Sequence, residues 1–192
     1  KLASQVKQMS KEEGYYFAPE LFPHGKQPFT YFGLKPDTTK AQVKEALSRK
    51  RWEAGDTSLL ERCHKIPLKP GTGWLLGSLL IHGPGAVPTI EPQVMADNLI
   101  VGIPKLENGT PVTRELLFRD LTERFQENVD LLVEETLDWE ANCVSEEEWV
   151  RSHYLEPVPV KGEGRPGVQD RWVVYGSFSK KFPNESFSTK EL

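Results

Sequence analysis

The chain alternates between stretches with helical spacing and stretches of short extended runs. Residues 1–13 are polar, with Leu2, Val6 and Met9 at helical intervals, which predicts a short surface helix. Tyr15, Tyr16, Phe17, Pro19, Phe22, Pro23 and Pro28 follow, an aromatic and proline-rich segment that favours extended chain because proline removes backbone donors. It leads into Phe29-Thr30-Tyr31-Phe32-Gly33-Leu34, a strand pattern. The clearest helix comes next. Pro36-Asp37-Thr38-Thr39 offers capping oxygens, Thr39 and Gln42 have capping-box spacing, Val43, Ala46 and Leu47 share a face, and Gly55 closes the segment.

A second short helix is expected over residues 58–63, after which Ile66, Leu68 and the Pro70-Gly71 turn open a β-region. Up to Lys105, glycine and proline recur every few residues between short apolar runs, the pattern of a sandwich or barrel. Residues 112–139 return to helical spacing through Leu116, Leu117, Leu121, Phe125, Val129, Leu132 and Val133. Pro157-Val158-Pro159 and Gly162-Glu163-Gly164-Arg165-Pro166-Gly167 mark a loop or linker, and Arg171-Trp172-Val173-Val174-Tyr175 reads as a further strand. The expected division is 1–60 for an extended segment with strand and helical insertion, 61–160 for β-strands with a helical addition, and 161–192 for a linker and strands.

Composition narrows the function. Of 192 residues, 38% are hydrophobic and 27% charged, with net charge -4, so the basic stripe needed to neutralise nucleic-acid phosphates is missing. The apolar run around Trp74, Leu75, Leu76, Leu79, Leu80 and Ile81 is far shorter than the roughly 20 residues that cross a bilayer. Residues 1–14 are charged and lack the apolar core of a signal peptide, which points to the cytoplasm and discounts the glycosylation patterns at Asn108 and Asn184. Cys63 and Cys143 lack metal-site spacing and read as free thiols. The first residue is Lys1 and the last six resemble the start of a strand, so the expectation is a piece of a longer protein.

The candidate chemistry centres on His82. A strand precedes it and Gly83-Pro84-Gly85 follows, an arrangement that would present the imidazole at a barrel mouth, where a neutral ring nitrogen binds a divalent cation. Glu91 lies nine residues on. Leu68, Pro70, Gly71, His82, Glu91, Asp97, Asn98, Gly102, Pro104 and Lys105 together resemble a stretch of the class I mannose-6-phosphate isomerases, within the cupin superfamily. Thr30-Tyr31-Phe32-Gly33-Leu34, Gly71-Thr72-Gly73-Trp74, Glu91-Pro92-Gln93, Asp138-Trp139-Glu140-Ala141-Asn142 and Trp172-Val173-Val174-Tyr175-Gly176 resemble blocks of a bacterial isomerase-like cupin family.

The resemblance implies an α+β chain, mainly β with helical additions, built on a cupin jelly-roll barrel and forming part of a two-barrel protein. It implies His82 as a ligand of a divalent metal, zinc first, and a small-molecule sugar or sugar phosphate as partner. Nucleic acid and membrane are not expected partners, and a homodimer is compatible with the reading. The reaction implied is metal-assisted aldose–ketose interconversion, with Glu91, Asp97 and Lys105 as candidate acid/base groups. Three family features differ. Its turn proline is Gly77, its substrate-binding arginine falls at Val101, and Lys26-Gln27-Pro28-Phe29 lacks the family's metal-binding carboxylate. The alternative is therefore a catalytically inactive carbohydrate-binding or interaction cupin, with Trp74, Tyr31 and Tyr154 as sugar-stacking or packing aromatics. His24, His64 and His153 read as structural or solvated, Cys63-His64 as no nucleophile pair, and Glu146-Glu147-Glu148 as a solvated helix face.

Overall fold

A computed structural model of the chain describes residues 11–22, 25, 27–83, 87–94 and 98–155, with Glu20 described through its backbone alone. The expected strand over Arg171-Trp172-Val173-Val174-Tyr175 and most of the expected helix over residues 1–13 lie outside these. Glu13, at the end of that helix, instead opens a strand, β1 (Glu13–Tyr16), because its backbone pairs with two neighbours.

The described residues form an α+β arrangement with two small antiparallel sheets, which do not close into a barrel. In the first, β1 pairs with β4 (Gly73–Leu76), which pairs with β6 (Tyr154–Leu155). Residues 90–94 lie along the other edge of β1 through Gly14 N–H to Pro92 O (2.8 Å), reciprocal bonds between Tyr16 and Ile90, and Val94 N–H to Glu12 O (3.1 Å). In the second sheet, β2 (Phe29–Phe32) is central, flanked by β3 (His64–Pro67) and β5 (His82–Gly83). The strand expected from Phe29 forms as β2, and the expected extended segment is extended at Tyr15-Tyr16 but turns into a 3-10 helix at Pro19–Leu21, where proline suits a first helical position; the β-region from Ile66 to Lys105 contributes short strands.

Aromatic rings join the sheets. Phe32 lies with its ring centroid 4.8 Å from Trp74, 5.9 Å from Trp149 and 6.3 Å from Tyr15. Tyr15, Phe17, Phe32, Ile66, Leu68, Trp74, Leu76 and Trp149 form one buried cluster. Burying an aromatic or large aliphatic side chain contributes about 1.5 to 3 kcal/mol, so this cluster is the main source of cohesion between sheets too short to stand alone.

A second cluster packs α1 (Lys40–Ala46), α2 (Arg49–Glu53) and α3 (Leu59–Arg62) against residues 117–133. Thr39 and Gln42 make the expected capping box on α1, and α3 falls inside the expected residues 58–63. The continuous helix expected over 112–139 is a correction. That segment forms 3-10 turns at Arg114–Leu117 and Glu123–Phe125, then α4 (Val129–Thr136) and α5 (Trp139–Asn142). Leu117, Leu121, Phe125, Leu132 and Val133 are buried as their spacing predicts, while Leu116 and Val129 are only partly buried; polar side chains and a left-handed turn redirect the backbone. Asp120 accepts from Leu99 N–H at 2.7 Å, Asn128 caps Leu131 N–H at 3.0 Å, and Glu127 takes a left-handed φ of 56°. Finally α6 (Glu146–His153) leads into β6, its Glu146-Glu147-Glu148 run exposed in the first turn as expected. Among the described residues no helix is long and apolar enough to cross a membrane.

Candidate functional site

Glu13 stands at the start of β1, between β4 and residues 90–94, and only 3% of it is exposed. A carboxylate so placed must be paired or it destabilises the fold. Lys11 and His82 meet it. Lys11 Nζ lies 2.9 Å from Oε2, and His82 Nε2 bonds Oε1 from β5, 69 residues away along the chain. The other ring nitrogen, Nδ1, faces Leu80 O at 2.9 Å. The edge of Tyr15 packs on the ring, centroids 5.7 Å apart.

Glu91 belongs to the same field. Glu91 is exposed on residues 90–94; local desolvation, then the charge of Glu13, raise its pKa above the ordinary carboxylate value, with Lys11 and His82 opposing. For Glu13 burial acts in the same direction, but the His82 and Lys11 contacts outweigh it, and its carboxyl is held below the ordinary value. The two carboxyls are thus shifted in opposite directions. Burial and the charges of Glu13 and Glu91 likewise push the Tyr15 hydroxyl up.

Of the four residues singled out from sequence, His82 and Glu91 come together. Lys105 is exposed beside Gly55, its strand-like bridge to Pro111 holding it in a turn, and no hydrogen bond or ion pair among the described residues joins it to His82. Asp97 lies outside the described residues. Glu13 and Lys11 escaped sequence reasoning because Lys11-Glu12-Glu13 reads as one more solvated charge run. The available signal was alternation: Glu13, Tyr15 and Phe17 share one face of an extended segment.

One imidazole and two carboxyls suit zinc by type, but a catalytic zinc needs three protein ligands and an open position. Both nitrogens of His82 face protein oxygens, Lys11 already neutralises Glu13, and among the described residues no group of three His, Cys, Asp or Glu side chains converges to hold a metal. The described residues do not fit a complete metal centre.

The remaining candidates have structural roles. His64 donates from Nε2 to Val144 O at 2.8 Å and is buried; His153 Nδ1 bonds Leu75 O at 2.9 Å, its ring 4.3 Å from Trp149, and burial lowers its pKa. His24 lies outside the described residues. The Cys63 thiol points to Leu59 O, and burial pushes it up to about 12, far from a thiolate nucleophile. Trp74 is buried against Phe32 and Tyr154. A cleft of about 470 Å³ opens by Tyr31, Lys35, Glu61, Cys63 and Lys65, but its amines are engaged: Lys35 donates to Glu61 O at 2.7 Å and Lys65 sits 3.7 Å over the Phe29 ring. In comparisons with protein-family models, curated proteins and solved structures, the chain matches none.

Proposed function

We propose that this chain is a cupin-type protein related to the mannose-6-phosphate isomerases, and that it interconverts the aldose and ketose forms of a sugar phosphate with Glu91 as the proton carrier. The observation that supports the reading is the convergence of Glu91 with the Glu13–His82–Lys11 network, where one carboxyl is raised and its neighbour lowered. As a carboxylate, Glu91 takes the proton from the carbon beside the aldehyde carbonyl and returns it to the former carbonyl carbon, while the hydroxyl proton of the first carbon passes to the carbonyl oxygen; the Lys11 ammonium opposes the negative charge that builds up on the oxygens.

On this reading the two sheets are parts of a jelly roll, and the protein works in the cytoplasm on a small sugar phosphate, as a homodimer. Zinc joins it only with donors from outside the described residues. A second reading, a catalytically inactive carbohydrate-binding or interaction cupin, draws on one observation: protein groups already engage both His82 nitrogens and Glu13.

The test is elemental analysis of the purified chain and of His82→Ala, with an assay of aldose phosphate conversion by wild type and Glu91→Gln. Conversion that Glu91→Gln abolishes supports the isomerase, and metal lost in His82→Ala adds the cation. Sugar binding without conversion, and no metal in either protein, would leave the inactive module.

A further inference from the structure

His82 is presented by a strap, residues 79–81, whose backbone is strained at Leu79 and held by the Asn142 side chain together with two backbone bonds. Leu79 has φ 68°, a left-handed conformation that a branched residue keeps only when its surroundings impose it. Asn142, at the end of α5 and fully buried, supplies that constraint. Its Nδ2 donates to Leu79 O at 2.8 Å and to Asp138 O at 2.6 Å, and its Oδ1 accepts from Ile81 N–H at 2.7 Å. Asp138 N–H adds a bond to Leu79 O at 3.2 Å, and Gly33 N–H bonds Ile81 O at 2.8 Å.

One primary amide therefore pins the groups on either side of Leu80, and the Leu80 carbonyl is the acceptor that holds Nδ1 of His82. The backbone of Asn142 is fixed in turn, its carbonyl accepting from Leu34 N–H at 2.8 Å. Alanine offers neither donor nor acceptor here, and a carboxylate accepts from Ile81 but cannot donate to Leu79.

We infer that Asn142 is a positioning residue for His82: by holding Leu79 and Ile81 it aims the Leu80 carbonyl and so fixes the ring against Glu13. The catalytic consequence rests on the isomerase reading; the positioning itself does not.

The experiment uses the full chain as wild type, Asn142→Asp, Asn142→Ala and Leu79→Gly, the last relieving the left-handed strain with Asn142 intact. The ¹⁵N shifts of the His82 ring are recorded by NMR alongside sugar phosphate turnover. Asn142→Asp is expected to move both ring nitrogens away from their wild-type shifts, and Leu79→Gly to leave them in place. Turnover in Asn142→Asp is expected to fall about ten- to a hundredfold in kcat, with KM within about twofold of wild type.

Wild-type ring shifts in a folded Asn142→Asp or Asn142→Ala would overturn the inference. So would failure of Asn142→Asp to fold while Leu79→Gly folds, since Asn142 would then serve stability alone. Displaced ring shifts in a protein that turns over no sugar phosphate would sustain the positioning role and remove the isomerase.

Discussion

The helical part of the molecule and the sheet part are held together by different physics. Around α1 to α4, cohesion comes from aliphatic and aromatic side chains at helical spacing, and polar groups do local work at the ends: Thr39 with Gln42, Ser48 with Arg51 N–H, Asn128 with Leu131 N–H. In the sheets, strands of two to four residues are joined through an aromatic cluster and a Glu13–His82 hydrogen bond between residues far apart in sequence. The contrast teaches where chemistry becomes available. A charge on a helix surface stays in water, whereas a charge drawn between strands must find a partner there, and that requirement gathers Glu13, Lys11 and His82 in one place.

The two parts meet at Gly33, and the largest expected effect follows from altering it. Gly33 has φ 50°, and a Cβ there would lie 2.5 Å from the Trp149 ring and 3.0 Å from Asn142 O. Gly33→Ala should cost about 3 kcal/mol or more, read as a lower midpoint of urea unfolding. A wild-type midpoint would mean that the parts are not tied there.

Next comes Glu13→Gln, which leaves Lys11 and His82 facing a neutral group and should cost about 3 kcal/mol. The pH dependence gives the sign. Because the folded carboxyl titrates below its ordinary value of 4.5, its contribution is fully present above that pH and is lost as pH falls through the folded value. Urea midpoints of wild type and Glu13→Gln should therefore converge in acid. Parallel curves would show that the pair carries no linked stability.

On the helical side Thr39→Ala removes half of a capping box and should cost about 1 kcal/mol by thermal unfolding. The smallest effect belongs to Glu134→Gln. Lys40 and Lys44 hold the Glu134 carboxyl down to about 2, yet the group is exposed and screened by solvent, so the unfolding midpoint should not move measurably at physiological salt. A clear loss there would blur the contrast between buried and surface charge.

The same contrast governs what could be read from the residues in order. The Thr39–Gln42 box, the buried face of Val43 and Ala46, and the short helix before Cys63 are local signals, and each formed where its pattern lies. The segment from Val112 to Trp139 kept most of its burial pattern but not its continuity, since Asp120 bonds the Leu99 N–H, Glu127 takes a left-handed φ and Asn128 caps a new helix. At the site, His82 stood out through its turn context and Glu91 through its spacing. Glu13 did not, because nothing adjacent to it in sequence announces that residues 73–76 and 90–94 will cover it. Asn142 was visible only as one letter of a block, its role arising from contacts more than sixty residues away.

The central claim is that Glu91 moves a proton beside the buried Glu13 and its partner His82. Its most direct test is incubation of the chain with mannose 6-phosphate in D₂O, following deuterium at carbon 2 by NMR. The account predicts uptake with wild type and none above background with Glu91→Gln. Uptake by Glu91→Gln at the wild-type rate, or none by wild type, would contradict it.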